Sequence, residues 1–200
     1  MLEDKFKEHG LVDIGTLCPD ISVELKYSTA DNFTGHDVYT NLERAYFVPE
    51  IAQMLARVQA KLSALKPGYR LHIYDAARPL SAQRFMFEFV KGTPQQRYVA
   101  DPSVHGFHNF GLAVDLTIVD PDGKPLDMGA GFDEFSELSH VGHEDDLVKA
   151  GLISPEAREN RTFLYELMLS EGFEHNPDEW WHYQKYSLEE AEKRFKVLDF

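Results

Sequence analysis

Leu112-Ala113-Val114-Asp115-Leu116-Thr117-Ile118-Val119 reads as a β-strand, closed by the turn Asp120-Pro121-Asp122-Gly123. Alternation along the run puts Leu112, Val114, Leu116 and Ile118 on one face and Ala113, Asp115 and Thr117 on the other. Asp115 is the anomaly. A carboxylate in so apolar a strand needs a partner, because burying an unpaired charge is costly. Read alone, it is satisfied by an Arg or by solvent on an edge face.

Outward from this strand the pattern changes character several times. Ile21 to Tyr27 alternates apolar and polar residues and predicts a half-buried strand, followed by a loop over Ser28 to Gly35. From Val48 to Leu65 the spacing is helical, with Ile51, Met54, Leu55, Val58, Leu62 and Leu65 in one stripe stopped by Pro67-Gly68. Tyr69 to Tyr74 is a further strand. Pro79 opens a helix to about Val90, with Phe85, Met86 and Phe89 on its apolar side. Ser154-Pro155 caps another, running to about Ser170, and Trp180 to Tyr186 is a last strand. Ser187 with Glu190 forms a capping box for a C-terminal helix. Strict βαβ alternation is absent, so the expected fold is one α+β domain over residues 1–200, with a mainly antiparallel central sheet flanked by helices.

The chain has 200 residues, 43% of them hydrophobic, enough for a sizeable core. Its 34 acidic against 20 basic residues give a formal charge of −14, the wrong sign for binding nucleic acid or an anionic membrane. No run approaches the length of a transmembrane helix. Met1 to Glu8 alternates charges without an apolar core, so a cytoplasmic location is expected, or a periplasmic one if a leader has been removed. A single cysteine, Cys18, excludes an internal disulfide framework and a thiolate-rich metal site. Any transition metal must be held by nitrogen and oxygen, and the chain has nine histidines.

Two of these stand out. His108 lies in His105-Gly106-Phe107-His108-Asn109-Phe110-Gly111, seven residues before Asp115. In a straight strand the two would lie roughly 23 Å apart at about 3.3 Å per residue, so they meet only if the chain folds back, and Gly111 is where it can. His182 ends Glu179-Trp180-Trp181-His182, which follows Asn176-Pro177-Asp178. A tight turn entering at 179 lets Glu179 and His182 address one cavity walled by the indoles. Read singly, each histidine fits an ordinary packed position. Together, two imidazoles and a carboxylate make a three-ligand set that leaves an open position on Zn²⁺, and an unligated Glu nearby can take a proton from water.

The combination resembles the D-alanyl-D-alanine dipeptidases of vancomycin resistance, within the wider group of zinc D-Ala-D-Ala carboxypeptidases and related peptidoglycan peptidases. The matching patches are Leu25 to Gly35, Asp75-Ala76-Ala77-Arg78-Pro79, His108-x-x-Gly111-x-Ala113-x-Asp115 and Glu179-Trp180-Trp181-His182. Asp127-Met128-Gly129 with Phe132-Asp133 and Ser139-His140 adds a further patch, so the matches span about 21 to 183, within a motif-bearing core of about 21 to 186. The resemblance implies a zinc D-Ala-D-Ala peptidase-like fold and one zinc ion per chain, held by His108, Asp115 and His182. It implies that Glu179 is the general base, that Arg78 stabilises the tetrahedral oxyanion, and that Asp133 receives the free amino group of a small dipeptide. Tyr27 and Asp75 are implied to shape the substrate site. Two positions depart from the family pattern, Gly106 where Ser is usual and Ala77 where Tyr is frequent. His-Asn-Phe-Gly-Leu-Ala-Val-Asp is closer to the carboxypeptidase and endopeptidase relatives, which keeps trimming of peptidoglycan stem peptides as the alternative. His105 is an unassigned neighbour. An iron(II) oxygenase would use a similar donor triad, but Glu179 has no role there. A non-catalytic binding module needs neither Glu179 nor Arg78.

Overall fold

A computed structural model describes residues 1–200. The helices are α1 (Leu2–Glu8), α2 (Ile14–Leu17), α3 (Pro49–Leu65), α4 (Leu80–Val90), α5 (Glu144–Lys149), α6 (Pro155–Leu169) and α7 (Leu188–Arg194). The strands are β1 (Val12–Asp13), β2 (Ser22–Val23), β3 (Tyr46–Phe47), β4 (Arg70–Asp75), β5 (Ala113–Val119), β6 (Glu174–Asn176) and β7 (Glu179–Gln184). Five strands form the main sheet in the order β2-β4-β5-β7-β6, and β1 pairs with β3 apart from it. Only β2 and β4 run parallel; the other main-sheet pairings are antiparallel. The α+β architecture and its mainly antiparallel sheet therefore match the sequence expectation.

β5 lies at the centre of the sheet, and all seven of its residues are buried. Its apolar face belongs to one contiguous hydrophobic cluster of 43 residues, which also takes in Ile51, Leu55, Val58 and Leu62 of α3. The α3 stripe is buried as its spacing predicts, except Leu65, which at the last helical position stays 65% exposed. Gln59 on the same helix accepts a hydrogen bond from the Leu71 amide at 2.7 Å and donates to the Tyr69 carbonyl, tying α3 to the start of β4.

Three details aim the site residues. A bulge between Ile73 and Asp75 shifts the β4 register so that Asp75 stands opposite Asp115. Across the other edge of β5, Asp115 is paired directly with His182. Finally, a 3₁₀ turn over Phe107–Phe110 ends at Gly111 in the left-handed region, φ 71°. A Cβ at Gly111 would come within 3.0 Å of the Leu11 side chain, so the fold-back expected at this glycine depends on its lacking one.

Some local expectations are corrected. The strand read over Ile21 to Tyr27 shrinks to Ser22–Val23, and Tyr27 sits in a 3₁₀ turn over Lys26–Ser28. Asn32 explains the departure, since its side-chain amide donates to the carbonyls of Lys26, Thr29 and His36 and knots the chain into a loop. On α4 the buried face is Ala82, Met86, Phe87 and Val90, whereas Phe85 and Phe89 are 43% and 48% exposed. Three short helices, α1, α2 and α5, carry too little apolar periodicity to be read from sequence; α1 buries Phe6 alone.

Candidate metal centre and active-site cavity

His108, Asp115 and His182 bring one donor atom each to within 4.8 Å of one another, all three side chains being buried. Each imidazole is anchored at its far nitrogen. His108 Nδ1 donates to the Ala76 carbonyl at 2.7 Å, and His182 Nε2 donates to Gln184 Oε1 at 2.9 Å. These bonds set the tautomers and turn His108 Nε2 and His182 Nδ1 inward, 3.2 Å apart. Asp115 Oδ1 lies 3.3 Å from the first and 2.9 Å from the second. Two imidazole lone pairs do not attract, so such a pair needs a proton or a cation between its members. The separations are close to the edge of about 3.3 Å expected for a tetrahedron whose arms are about 2.0–2.1 Å, the bond lengths of zinc to nitrogen or oxygen. The donor set therefore fits a tetrahedral ion such as zinc. Burial alone would raise the Asp115 carboxyl, but the facing His108 and His182 outweigh it and hold the group well below the usual carboxylate range.

The cluster lies in the wall of a cavity of about 360 Å³. Glu179 enters it from the start of β7, with Oε2 held at 3.0 Å by the Asn176 amide and 3.8 Å from His182 Nδ1. Residues 179 and 182 would face opposite ways in an even strand. The irregular pairing of β6 and β7, which sets Asn176 against Glu179, brings them to one side. Burial pushes the Glu179 carboxyl up to about 8, against the pull of His182. Trp181 walls the same cavity, whereas Trp180 lines a different surface, so only one of the two indoles expected there is present.

Arg78 follows the β4 bulge and is fixed on several sides. Asp75 Oδ2 accepts from its Nη2 at 2.6 Å and from its Nε at 3.0 Å, and Gln83 accepts from Nη1 at 2.9 Å. The guanidinium also lies 5.2 Å from the centre of the Tyr27 ring. Asp75 itself is fully buried, bonded by the Tyr39 hydroxyl at 2.7 Å, and does not reach the cavity; it orients Arg78 from behind. Asp133 lines the cavity with its backbone in the left-handed region, φ 59°. One of its oxygens accepts from the Tyr27 hydroxyl at 2.9 Å, and the other is buried without a partner. Burial pushes Asp133 up to about 7 although the Tyr27 bond opposes this.

The eight residues singled out from the sequence thus gather in one region, seven on the cavity wall and Asp75 behind it. Gln184, Asn176, Tyr39 and Gln83 were missed. Only Gln184 carried a sequence signal, two residues beyond His182 and so on the same face of a predicted strand.

A central β-sheet that gathers two imidazoles and a carboxylate beside an unligated carboxylate and a fixed guanidinium has the layout of a metal-dependent hydrolase. More specifically, the chain belongs to the D-ala-D-ala dipeptidase family, which its residues 7–197 match. It is 38% identical over 175 residues to the D-alanyl-D-alanine dipeptidase of Escherichia coli, covering 87% of this chain and 83% of that protein. The D-alanyl-D-alanine dipeptidase of Enterococcus faecalis is 31% identical over 193 residues, covering 88% and 92%. Among solved structures, a mutant of the vancomycin resistance D,D-pentapeptidase VanY in complex with Zn(II) is similar at TM-score 0.41 and 19% identity, over 74% of this chain and 78% of that one. VanYB in complex with D-Alanine-D-Alanine is similar at TM-score 0.39 and 19% identity, over 74% and 76%. No helix of the chain is long and apolar enough to cross a membrane.

Proposed function

We propose that the protein is a zinc dipeptidase that hydrolyses D-alanyl-D-alanine or a closely similar D-amino-acid dipeptide, with one ion per chain held by His108, Asp115 and His182. The observation that carries this reading is the inward pair of imidazole nitrogens beside Asp115, each fixed by an outer hydrogen bond, with Glu179 next to them. When bound, zinc supplies a Lewis acid that polarises the scissile carbonyl and lowers the pKa of the attacking water.

The chain's own groups do the rest. Glu179, oriented by Asn176 and standing beside His182, takes the proton of the attacking water and delivers it to the leaving amine. Arg78 presents a fixed positive charge to the oxyanion that develops on the carbonyl, and Asp75, Gln83 and Tyr27 hold it still before the substrate arrives. Asp133 receives the substrate ammonium on its unpartnered oxygen while Tyr27 occupies the other. A carboxylate there suits a free amino end and obstructs a longer peptide, which favours the dipeptidase over trimming of stem peptides. Turnover of free D-Ala-D-Ala compared with a stem pentapeptide tests the proposal. Faster dipeptide turnover is expected; faster pentapeptide turnover would replace it with the carboxypeptidase reading.

A further inference from the structure

Two cavity residues share an unusual pair of properties. Five residues other than glycine have positive φ, and of these only His105 (57°) and Asp133 (59°) line the cavity. Five buried side-chain polar atoms have no hydrogen-bond partner, and Nδ1 of His105 and Oδ2 of Asp133 are among them. Left-handed backbone is unfavourable for side-chain-bearing residues and concentrates where surrounding structure enforces a functional position. An unmet buried polar atom is costly as well, and a ligand group that meets it recovers that cost. The two residues therefore place one unmet imidazole nitrogen and one unmet carboxylate oxygen at the same cavity.

The loop that carries His105 is shaped to hold it. The ring packs edge-on against Phe110 at 5.9 Å and 89°. At the neighbouring Gly106 an added Cβ would lie only 3.3 Å from that of Ala100, so the loop closes tightly on itself there. The other arginine and histidine side chains of the cavity already have partners. Arg78 is bound by Asp75 and Gln83, Arg97 donates to the Tyr98 hydroxyl at the surface, and His108 and His182 belong to the donor cluster. His105 is left as an uncommitted imidazole.

We infer that His105 binds the substrate's free carboxylate, as the counterpart of Asp133 at the ammonium, so that the cavity selects a zwitterion of dipeptide length. This rests on the dipeptidase reading. An imidazole N–H donated to a carboxylate oxygen is a charge-assisted bond, whose loss reduces affinity by about ten- to a hundredfold.

The test compares D-Ala-D-Ala with its C-terminal amide, D-Ala-D-Ala-NH₂, on the zinc-loaded protein. Wild type is expected to prefer the free acid. H105A and H105N should lose about ten- to a hundredfold in kcat/KM on the acid, carried by KM, and little on the amide, with zinc content unchanged. H105N matters because Asn tolerates left-handed backbone and so keeps the loop while removing the imidazole. H105Q, which retains a donor of similar reach, should recover part of the preference. An undiminished acid preference in H105A and H105N overturns the inference, as does equal loss on both substrates or a wild type indifferent to the carboxylate. A wild type that hydrolyses neither compound overturns the underlying dipeptidase reading. Raised KM in D133N with H105A unaffected overturns the role of His105 alone.

Discussion

Glu179 and Asp133 are both pushed up by burial, to about 8 and about 7, yet they are proposed to do different work. Asp133 binds an ammonium only when ionised, so KM for the dipeptide should fall as pH rises through about 7. D133N should raise KM and flatten that dependence, which steady-state kinetics across pH 5–9 would show. Glu179 acts on the reacting water, so E179Q should lower kcat by about 10²–10⁴-fold while zinc remains bound, measurable as turnover and metal content of one preparation. The gathering of His108, Asp115, His182 and Glu179 at one cavity was legible from sequence because motif and chemistry point to the same four residues. Tyr39 and Gln83 were not, because their importance lies in what they touch: Tyr39 reaches across 36 positions to Asp75, and Gln83 meets Arg78 only once α4 is in place.

Among the elements, β7 shows how a strand tunes a site. Its alternation sets His182 and Gln184 on one side, where Gln184 fixes the ring orientation. Q184A should weaken zinc binding by about 10–100-fold with the fold intact, as read by competition against a chelator of known affinity. Glu179 escapes the same alternation only through irregular pairing with β6, which no periodicity in the sequence announces. The long helices and the central strand were readable because each carries several buried apolar residues in register. The loop from Lys26 to His36 was misread as strand at its start because Asn32, a single polar side chain, decides its path. Likewise two of the three apolar residues assigned to the buried side of α4 lie elsewhere: Met86 is buried as expected, whereas Phe85 and Phe89 share their flank with His36 and stay exposed.

At the scale of the whole molecule, the proposed recognition of a zwitterion depends on the local charges of Arg78 and Asp133 at the cavity and not on the bulk charge of −14. Those charges couple to stability. Because the folded-state pKa of Asp133 is raised above its unfolded value near 4, the folded state holds that proton more tightly, and the resulting stabilisation is lost as pH rises toward about 7. In the metal-free protein, the stability of D133N relative to wild type should therefore increase between pH 4 and about 7, a trend that urea melts at several pH values would reveal. Zinc binding to the folded site should in turn stabilise by about 2.7 kcal/mol at a free concentration 100 times Kd, and a chelator should reverse the gain in Tm. Release of D-alanine from D-Ala-D-Ala, followed as zinc is titrated into metal-free protein, joins the metal site to the reaction. Activity should rise to a plateau at one zinc per chain and vanish with the chelator, and E179Q should stay inactive at full zinc occupancy. Full activity without metal, or an E179Q protein as active as wild type, would contradict the proposed centre.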